Sequence, residues 1–564
     1  MKILLITEKC NPNEVGRDGG ARLVETIRRA FGDSLSIIQF GQKSNPLATW
    51  CYEYPFNLSN RFENRIVNGR FIAEQVKKVE EGFTHLFFIH ISMQFGLIDI
   101  PLRKDVIVWT FPMFLTPSYQ ASGEIIPDKY IQCERLTLAN SKNIITPSYF
   151  EKQQLLDYYS IPPDRVYVIP RGINTSLLVP IVRSLNGEAK FCSVGSIKPQ
   201  KNTLGLINLF AEIQKKIPEA KLKIVGAMQN EQYYQKVSKR INDLSLNNAI
   251  EFTGYISPNN LFHVIKDCHI HISRSTCETF GRSIFETLAC GLPNIAKKTH
   301  NAAAEFLSDL PYAKFIDDDE EALSIILEIL SNLTQLSSMA LEIGRLYDDQ
   351  ILEKLLLAKV YNSEVIAVSD FDGTLFHKNN SNRTEKSIEE FKKFPQRVVC
   401  SARTIDDLLV QLKACDLKVD WIMGCSGAVV TDGNGKLLWI VPLDLNEDLE
   451  HNLFIPESKQ IKFEDQLVQI ALPTHLLLPK FSLDTNGLRV ETYQDLAFIA
   501  NWQASKLHAV HRLLNYINWA GQVKVFGDGK YDMELIRYFD GTHVTSLADN
   551  NIQSMEVGYV GFVL

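Results

Sequence analysis

Long apolar runs are missing from this sequence. No stretch approaches the roughly 20 apolar residues needed to span a bilayer. The N-terminal run Ile3-Leu4-Leu5-Ile6 meets Thr7-Glu8-Lys9 at once, too short for the core of a secretory signal. An excess of positive charge is missing too. Lys and Arg number 59 against 66 Asp and Glu, a net charge of −7 with no long basic tract, so electrostatics give no reason to expect nucleic acid. Cysteine pairs are absent: the ten cysteines stand singly, with no C-x-x-C. That pattern reads as thiols in a reducing compartment, not as a disulfide frame or a zinc site. Internal repeats and low-complexity tracts are also lacking. These absences predict a cytoplasmic protein with no transmembrane segment and no nucleic-acid partner; nothing in the sequence sets an oligomeric state.

What is present is ordinary in composition, 45% hydrophobic and 22% charged, but 564 residues exceed one core and predict several domains. Short apolar runs alternate with amphipathic helical patterns. Ile3–Ile6, Ser36–Phe40, His85–His90, Val106–Trp109, Asn143–Thr146 and Arg165–Ile169 form one series. After a polar break at Arg183–Glu188 a second follows: Phe191–Val194, Leu222–Val225, Ile250–Phe252, Ile270–Ser273 and Asn294–Ala296. Strands alternating with helices predict parallel sheets covered on both faces, hence two Rossmann-like domains across a cleft, 1–180 and 181–340. Glu320–Lys359 reads as helical throughout, and its last part, 340–360, is expected to pack back on the first domain. The join Tyr361–Glu364 is short and holds neither Gly nor Pro, and Val365–Ser369 opens a third series, 364–564.

In the second series, Ser273-Arg274-Ser275-Thr276-Cys277-Glu278-Thr279-Phe280-Gly281 runs on to Glu286 and Ala289-Cys290-Gly291-Leu292-Pro293. Thr279–Gly281 falls at a strand-to-helix turn, where backbone amides point at an anion, and both glutamates can accept hydrogen bonds from sugar hydroxyls. The string resembles the E-x7-E signature of glycosyltransferase family 4. Ile224-Val225-Gly226, Phe252-Thr253-Gly254-Tyr255 and Arg171-Gly172-Ile173-Asn174 fit it in order. The resemblance, over residues 1–360, implies the two-domain GT-B fold, a nucleotide-sugar donor and retention of anomeric configuration. It implies that Glu278 contacts the donor sugar beside the amides of Phe280 and Gly281, and that Glu286 holds the ribose hydroxyls. Val194-Gly195-Ser196-Ile197-Lys198-Pro199-Gln200-Lys201-Asn202 takes the place of the family's diphosphate loop, with Lys201 matching its lysine and Ser196 standing where the family has arginine. Gly19 and Gly20, before the helix Ala21–Ala30, resemble the family's glycine-rich loop and are counted with the donor-binding residues. The family's histidine after the strand Val106–Trp109 is absent; His90 is read as a packing residue. Asp317-Asp318-Asp319 reads as an acidic helix cap, and no metal is expected in the transferase.

In the third series, Asp370-Phe371-Asp372-Gly373-Thr374 directly follows an apolar strand. Two carboxylates at i and i+2 can divide labour as nucleophile and general acid. Ser401-Ala402-Arg403 ends a second strand, Lys506 stands near a helix start, and Val523–Phe526 leads into Gly527-Asp528-Gly529-Lys530-Tyr531-Asp532. In order and spacing these resemble the four motifs of the haloacid dehalogenase (HAD) superfamily, in its phosphatase branch. The resemblance implies that Asp370 attacks phosphorus, that Asp372 handles the leaving-group proton, and that Ser401 and Lys506 bind phosphate. It implies Mg²⁺ held by Asp370, Asp528 and the backbone carbonyl of Asp372, with Asp532 in support. Gly424-Cys425-Ser426-Gly427-Ala428 resembles the loop before an inserted α+β cap, placed at about 433–498, with Phe454, Phe463 and Leu476 in its core.

The expected fold class is therefore α/β: GT-B twin Rossmann-like domains followed by a HAD-like Rossmannoid domain with a cap. The pairing resembles sucrose-phosphate synthesis with its phosphatase. It leads to the expectation of a sugar or sugar-phosphate acceptor glycosylated by the first enzyme and dephosphorylated by the second. The alternative is a cell-surface polysaccharide or glycolipid transferase whose phosphatase serves a separate metabolite.

Overall fold

Apolar runs without polar alternation, such as Ile3–Thr7, lie buried on both faces of parallel sheets. The computed structural model describes residues 1–10, 19–308, 310–477, 487–493 and 495–544. The chain divides into Met1–Leu357 and Ala358–Leu564.

The first unit holds two sheets. One is built from β1 (Ile3–Thr7), β2 (Leu35–Phe40), β3 (Trp50–Tyr52), β4 (His85–Ile89), β5 (Ile107–Phe111), β6 (Asn143–Thr146) and β7 (Val166–Val168), in the order β3-β2-β1-β4-β5-β6-β7. The other is built from β8 (Lys190–Val194), β9 (Lys221–Val225), β10 (Ile250–Gly254), β11 (Ile270–Ser273), β12 (Asn294–Ala296) and β13 (Ala313–Phe315), in the order β10-β9-β8-β11-β12-β13. Every pairing in both is parallel. Strand order reverses between β1 and β4 and between β8 and β11, where strand ends open a crevice. Three helices matter to the sites: α1 (Gly19–Phe31), α2 (Arg282–Ala289) and α3 (Asp319–Ser331). Asp318 caps α3 by accepting from the Glu321 amide at 2.8 Å.

The stretch expected to be helical from Glu320 to Lys359 is interrupted. It breaks into α3, Leu333–Ala340, Glu342–Leu346 and α4 (Asp349–Tyr361). The break at Tyr347 and Asp348 arises because the chain turns there to pair with the segment after β7: Ile173 N donates to Tyr347 O and Asp349 N to Ile173 O, both at 2.9 Å. α4 then lies against the first sheet's helices, with Arg29 of α1 paired to Asp349 at 2.6 Å and to Glu353 at 2.9 Å. Among the described residues no single helix is long and apolar enough to cross a membrane.

The second unit is built from β14 (Val365–Ser369), β15 (Gln396–Cys400), β16 (Trp421–Gly424), β17 (Val429–Asp432) and β18 (Leu437–Ile440), then β19 (Lys459–Phe463), β20 (Gln466–Pro473), β21 (Leu488–Tyr493) and β22 (Leu496–Asn501), then β23 (Gln522–Gly527) and β24 (Thr542–His543). The main sheet runs β18-β17-β16-β15-β14-β23-β24, and β19-β20-β22-β21 form a separate antiparallel sheet. α5 (Glu447–Leu453) covers that smaller sheet through Leu449 and Leu453, which pack on Ile470 and Leu472. β18, placed in the cap from the sequence, instead pairs with β17 in the main sheet. The reason is the turn after β17. The Asp432 carboxylate accepts from the Asn434 and Lys436 amides, both at 2.9 Å, and Gly435 takes φ +87°, folding the chain back as a hairpin. At the other end β22 continues to Asn501. Residues 478–486 and 494 of the expected cap, and 545–564 of the expected phosphatase domain, lie outside the described residues.

Candidate active sites

The first site gathers at the carboxyl ends of β8 and β11. Gly281 ends the loop after β11 with φ +80°, and a Cβ there would press on the Ala303 Cβ at 3.1 Å, so glycine lets the loop turn into α2. Glu278 is pinned by its backbone: its N–H donates to His300 O and its carbonyl accepts from the Ala302 amide, both at 2.8 Å. Its carboxylate accepts from Lys201 Nζ at 2.5 Å, with both side chains largely buried. Lys201 reaches it by crossing Gly195, where a Cβ would meet the lysine Cε at 3.3 Å. Asn202, in the left-handed region at φ +46°, caps the following helix by accepting from the Gly205 amide at 3.1 Å and so fixes where the lysine departs. The Phe280 ring stacks on Phe285 at 4.4 Å and belongs to the core.

Glu286, on α2, accepts from Arg22 of α1. Gly20 is buried at the start of α1 and Gly19 exposed, with open space where its Cβ would stand. Arg22 was not singled out from the sequence, and neither was Arg282. Burial pulls the Arg282 guanidinium down to about 9, with Arg22 and Arg171 adding repulsion while Glu286 and Asp349 oppose it. Burial likewise takes Arg171 down to about 10, with Glu151 opposing. Arg22 and Arg171 thus lie close enough to Arg282 to act on its charge, and Glu286 stands among them. The signal was faint: Arg22 is a single basic residue on the first turns of α1.

His90 sits at φ +79°, a strained conformation for a residue with a side chain. Its Nδ1 accepts from the Ser92 amide at 3.2 Å, and burial pushes its pKa well below the usual value. His269 and His271 accept from the Lys190 and Val194 amides at 2.9 and 3.2 Å, which ties both rings to β8.

The second site gathers at the ends of β14 and β23. Asp370 N donates to Phe526 O at 2.9 Å, bringing the two strand ends together. Lys506, on α6 (Lys506–Tyr516), donates to Asp370 at 2.7 Å and to Asp532 at 2.5 Å. Thr374 donates to Asp528 at 3.0 Å, and Gly373 at φ +79° has no room for a Cβ against the Asp528 carboxylate. Asp532 accepts from the Gly529 amide at 2.9 Å. Oxygens of Asp370, Asp528 and Asp532 lie within 4.8 Å of one another. Burial pushes the Asp370 carboxyl up to about 7, with Lys506 opposing and Asp532 adding to it.

Three carboxylates against one ammonium leave −3 + 1 = −2 in a mostly buried place. A hard divalent cation with oxygen ligands fits that donor set and that charge. The carboxylate of Asp372 is not in this cluster: it meets Arg403 in a two-point pair, at 2.6 Å to Nε and 2.8 Å to Nη2. Ser401 is buried beside it, its hydroxyl accepting from the Arg403 amide at 3.3 Å. The residues named from the sequence, Asp370, Asp372, Ser401, Lys506, Asp528 and Asp532, are therefore grouped around one strand-end crevice.

Residues 180–338 match the family of glycosyl transferases group 1, and residues 116–177 match glycosyltransferase family 4. The chain is 26% identical over 317 residues to the α-monoglucosyldiacylglycerol synthase of Streptococcus pneumoniae, covering 52% of this chain and 71% of that one. It is 26% identical over 193 residues to the D-inositol 3-phosphate glycosyltransferase of Acidothermus cellulolyticus, covering 32% and 43%. To a probable sucrose-phosphate synthase of Thermosipho melanesiensis it is 24% identical over 222 residues, covering 37% and 51%. The chain thus spans about half the length of the last two. Among solved structures, the sucrose-phosphate synthase of Thermosynechococcus elongatus superposes with a TM-score of 0.54 at 16% identity, covering 64% of this chain and 98% of that one. The Anabaena HepE protein, in complex with UDP and glucose, superposes with 0.51 at 14% identity, covering 64% and 99%. The superpositions give the first part of the chain the fold of those structures, and the two family models that match within it are both of glycosyl transferases.

Proposed function

We propose that the first unit transfers a glycosyl group from a nucleotide sugar to a phosphorylated sugar acceptor, with retention. The second unit is a Mg²⁺-dependent HAD-type phosphatase that removes the phosphate from that product. The observation that carries the reading is that one chain holds two charged strand-end sites of different character. One pairs a single lysine with a single glutamate; the other packs three carboxylates round a lysine. Lys201 stabilises charge on the departing diphosphate as the new bond to the sugar forms, Glu278 orients the donor sugar, and Glu286 takes the ribose hydroxyls. In the second unit Asp370 attacks phosphorus and Asp372 gives its proton to the leaving oxygen. Asp372 then takes a proton from the water that hydrolyses the aspartyl phosphate. Ser401 and Lys506 hold phosphate oxygens. A cation held by Asp370, Asp528 and Asp532 supplies charge neutralisation on the phosphoryl group when bound.

A chelator separates the two activities. In excess chelator phosphate release is expected to stop while donor turnover continues, both followed in one reaction by mass. Complete loss of transfer sinks the metal-free transferase, and undiminished phosphate release sinks the metal-dependent phosphatase.

The role of Glu286 is tested separately. Glu286→Ala removes the acceptor of the ribose hydroxyls and releases Arg22. Losing such hydrogen bonds costs about 1–3 kcal/mol, or about 5- to 150-fold in affinity for the nucleoside diphosphate. Calorimetric titration reads this directly; unchanged affinity in a folded variant makes Glu286 a partner of Arg22 and nothing more.

A second reading follows from the relative named α-monoglucosyldiacylglycerol synthase, whose match covers 52% of this chain. In it the transferase serves a cell-surface polysaccharide or glycolipid, and the phosphatase serves a separate metabolite. A lipid acceptor converted in preference to any sugar phosphate would favour it.

A further inference from the structure

A recess of about 500 Å³ opens in the first unit, at the end of the second sheet opposite Glu278. Its walls come from residues 181–188, which lead into β8, and residues 266–269, which lead into β11. These are the amino ends of the strands whose carboxyl ends hold the first site. β8 is five residues long, about 16 Å at the usual rise, so the recess is separate from the donor crevice. Its volume is in the range of sites for small molecules.

The charges around it do not balance. Arg183 is buried, and its guanidinium meets only backbone: Nη2 donates to Cys290 O at 2.9 Å and Nη1 donates to Lys266 O. Its Nε has no hydrogen-bond partner among the described residues. Burial holds this guanidinium below its usual pKa. Lys266 is exposed on the rim and pairs with no acid among the described residues. Asp267 is already shared by Lys190 at 3.1 Å and Lys223 at 3.2 Å. With Glu188, the other acid of the walls, four cations face two carboxylates, 4 − 2 = +2. An anion in the recess supplies the counter-charge that a buried cation lacks. Ile181 and Val182, 38% and 45% exposed, put apolar surface on the same wall, which suits a ligand with a carbon body over a bare inorganic ion.

The recess is also tied to the donor site. Cys290 follows the last residue of α2, and Glu286 stands about one turn before it on that helix. The Arg183 amide donates to Ser337 Oγ at 2.7 Å, and that hydroxyl donates to Gly291 O at 2.5 Å. Gly291, at φ +81°, lets the chain pass close: a Cβ there would stand 2.1 Å from Ile181 O. Arg183 therefore holds the end of α2 through both its side chain and its backbone, and a ligand that draws on Arg183 acts on the helix that carries Glu286.

We infer that this recess binds a small organic anion, one bearing a phosphate or a carboxylate, and that its occupancy is passed to the donor site through α2.

The full-length protein, in chelator, is titrated calorimetrically with glycerol 3-phosphate, succinate and inorganic phosphate. At least one of the two organic anions is expected to bind more tightly than inorganic phosphate, and their order tells a phosphate headgroup from a carboxylate. Lys266→Glu, an exposed change outside both active sites, is expected to weaken that binding about tenfold or more. Equal affinities in wild type and Lys266→Glu for every probe, or inorganic phosphate bound as tightly as either organic anion, overturn the inference. Arg183→Gln should weaken binding as well; should thermal melting show that it does not fold, Lys266→Glu decides alone. The tie to α2 is read by titrating UDP, GDP and ADP with and without the bound probe. The affinity for the nucleotide that binds is expected to change about threefold or more in the wild type and not in Lys266→Glu. An unchanged affinity in the wild type overturns the coupling. Binding of none of the three nucleotides removes the transferase reading and the coupling with it, while the first titration still decides the recess.

Discussion

Asp370→Asn is expected to give a chain that builds the glycoside and keeps its phosphate. The amide has the shape of the carboxylate but is no nucleophile toward phosphorus. It also removes one of the three negative charges that would hold a cation there. Lys506 keeps Asp532 at 2.5 Å, so the surroundings retain their main tie. Losing the nucleophile from a unit of this kind costs about 10⁴-fold or more in turnover. Incubated with donor and phosphorylated acceptor, the wild type should release neutral glycoside and inorganic phosphate, and the variant should accumulate the phosphorylated glycoside. Resolution of the products by mass reads both. If Asp370→Asn yields the same unphosphorylated glycoside as the wild type, the phosphatase does not act on the transferase product and the second reading takes its place.

The residues that could be found from sequence share a position: each stands next to the end of an apolar run or the start of a helix. Ile270–Ser273 announces Glu278, Val365–Ser369 announces Asp370, and Gln522–Gly527 announces Asp528 and Asp532. A strand buried on both faces is visible as an unbroken apolar run, and the polar residue that follows it must lie at the sheet's end. Short edge strands give no such run. Trp50–Tyr52 and Ala313–Phe315 are three residues each, too short to show a pattern, and Leu437–Ile440 reads as part of the cap because only pairing, not pattern, places it in the main sheet. The helical stretch through Tyr347 concealed its break for a similar reason: nothing local ends it, and the bonds to Ile173 that do are distant in sequence. Arg22 and Arg282 were illegible because each is an unremarkable residue on a regular element. What singles them out is tertiary: Arg22 meets Glu286 across 264 positions.

Lys201→Ala is expected to stop transfer more than it weakens donor binding. The lysine is held at 2.5 Å from Glu278, at the mouth of a loop whose glycine leaves room for nothing larger than its side-chain stem. A cation fixed there acts most on charge that develops as the diphosphate departs, so its removal falls on kcat, by about 10²- to 10³-fold. Glu278→Ala should be as damaging to transfer, since the donor sugar loses its acceptor and the lysine its partner. The two changes share one ion pair, so the double variant is expected to lose far less than the product of the single losses. In all three variants, added phosphorylated glycoside should still be hydrolysed at the wild-type rate, which also shows that the second unit is folded. Single-turnover measurement with nucleotide sugar separates binding from chemistry. A Lys201→Ala protein that transfers at the wild-type rate would make the pair a structural tie between the loop after β8 and the loop after β11, with no part in holding the charge of the leaving diphosphate.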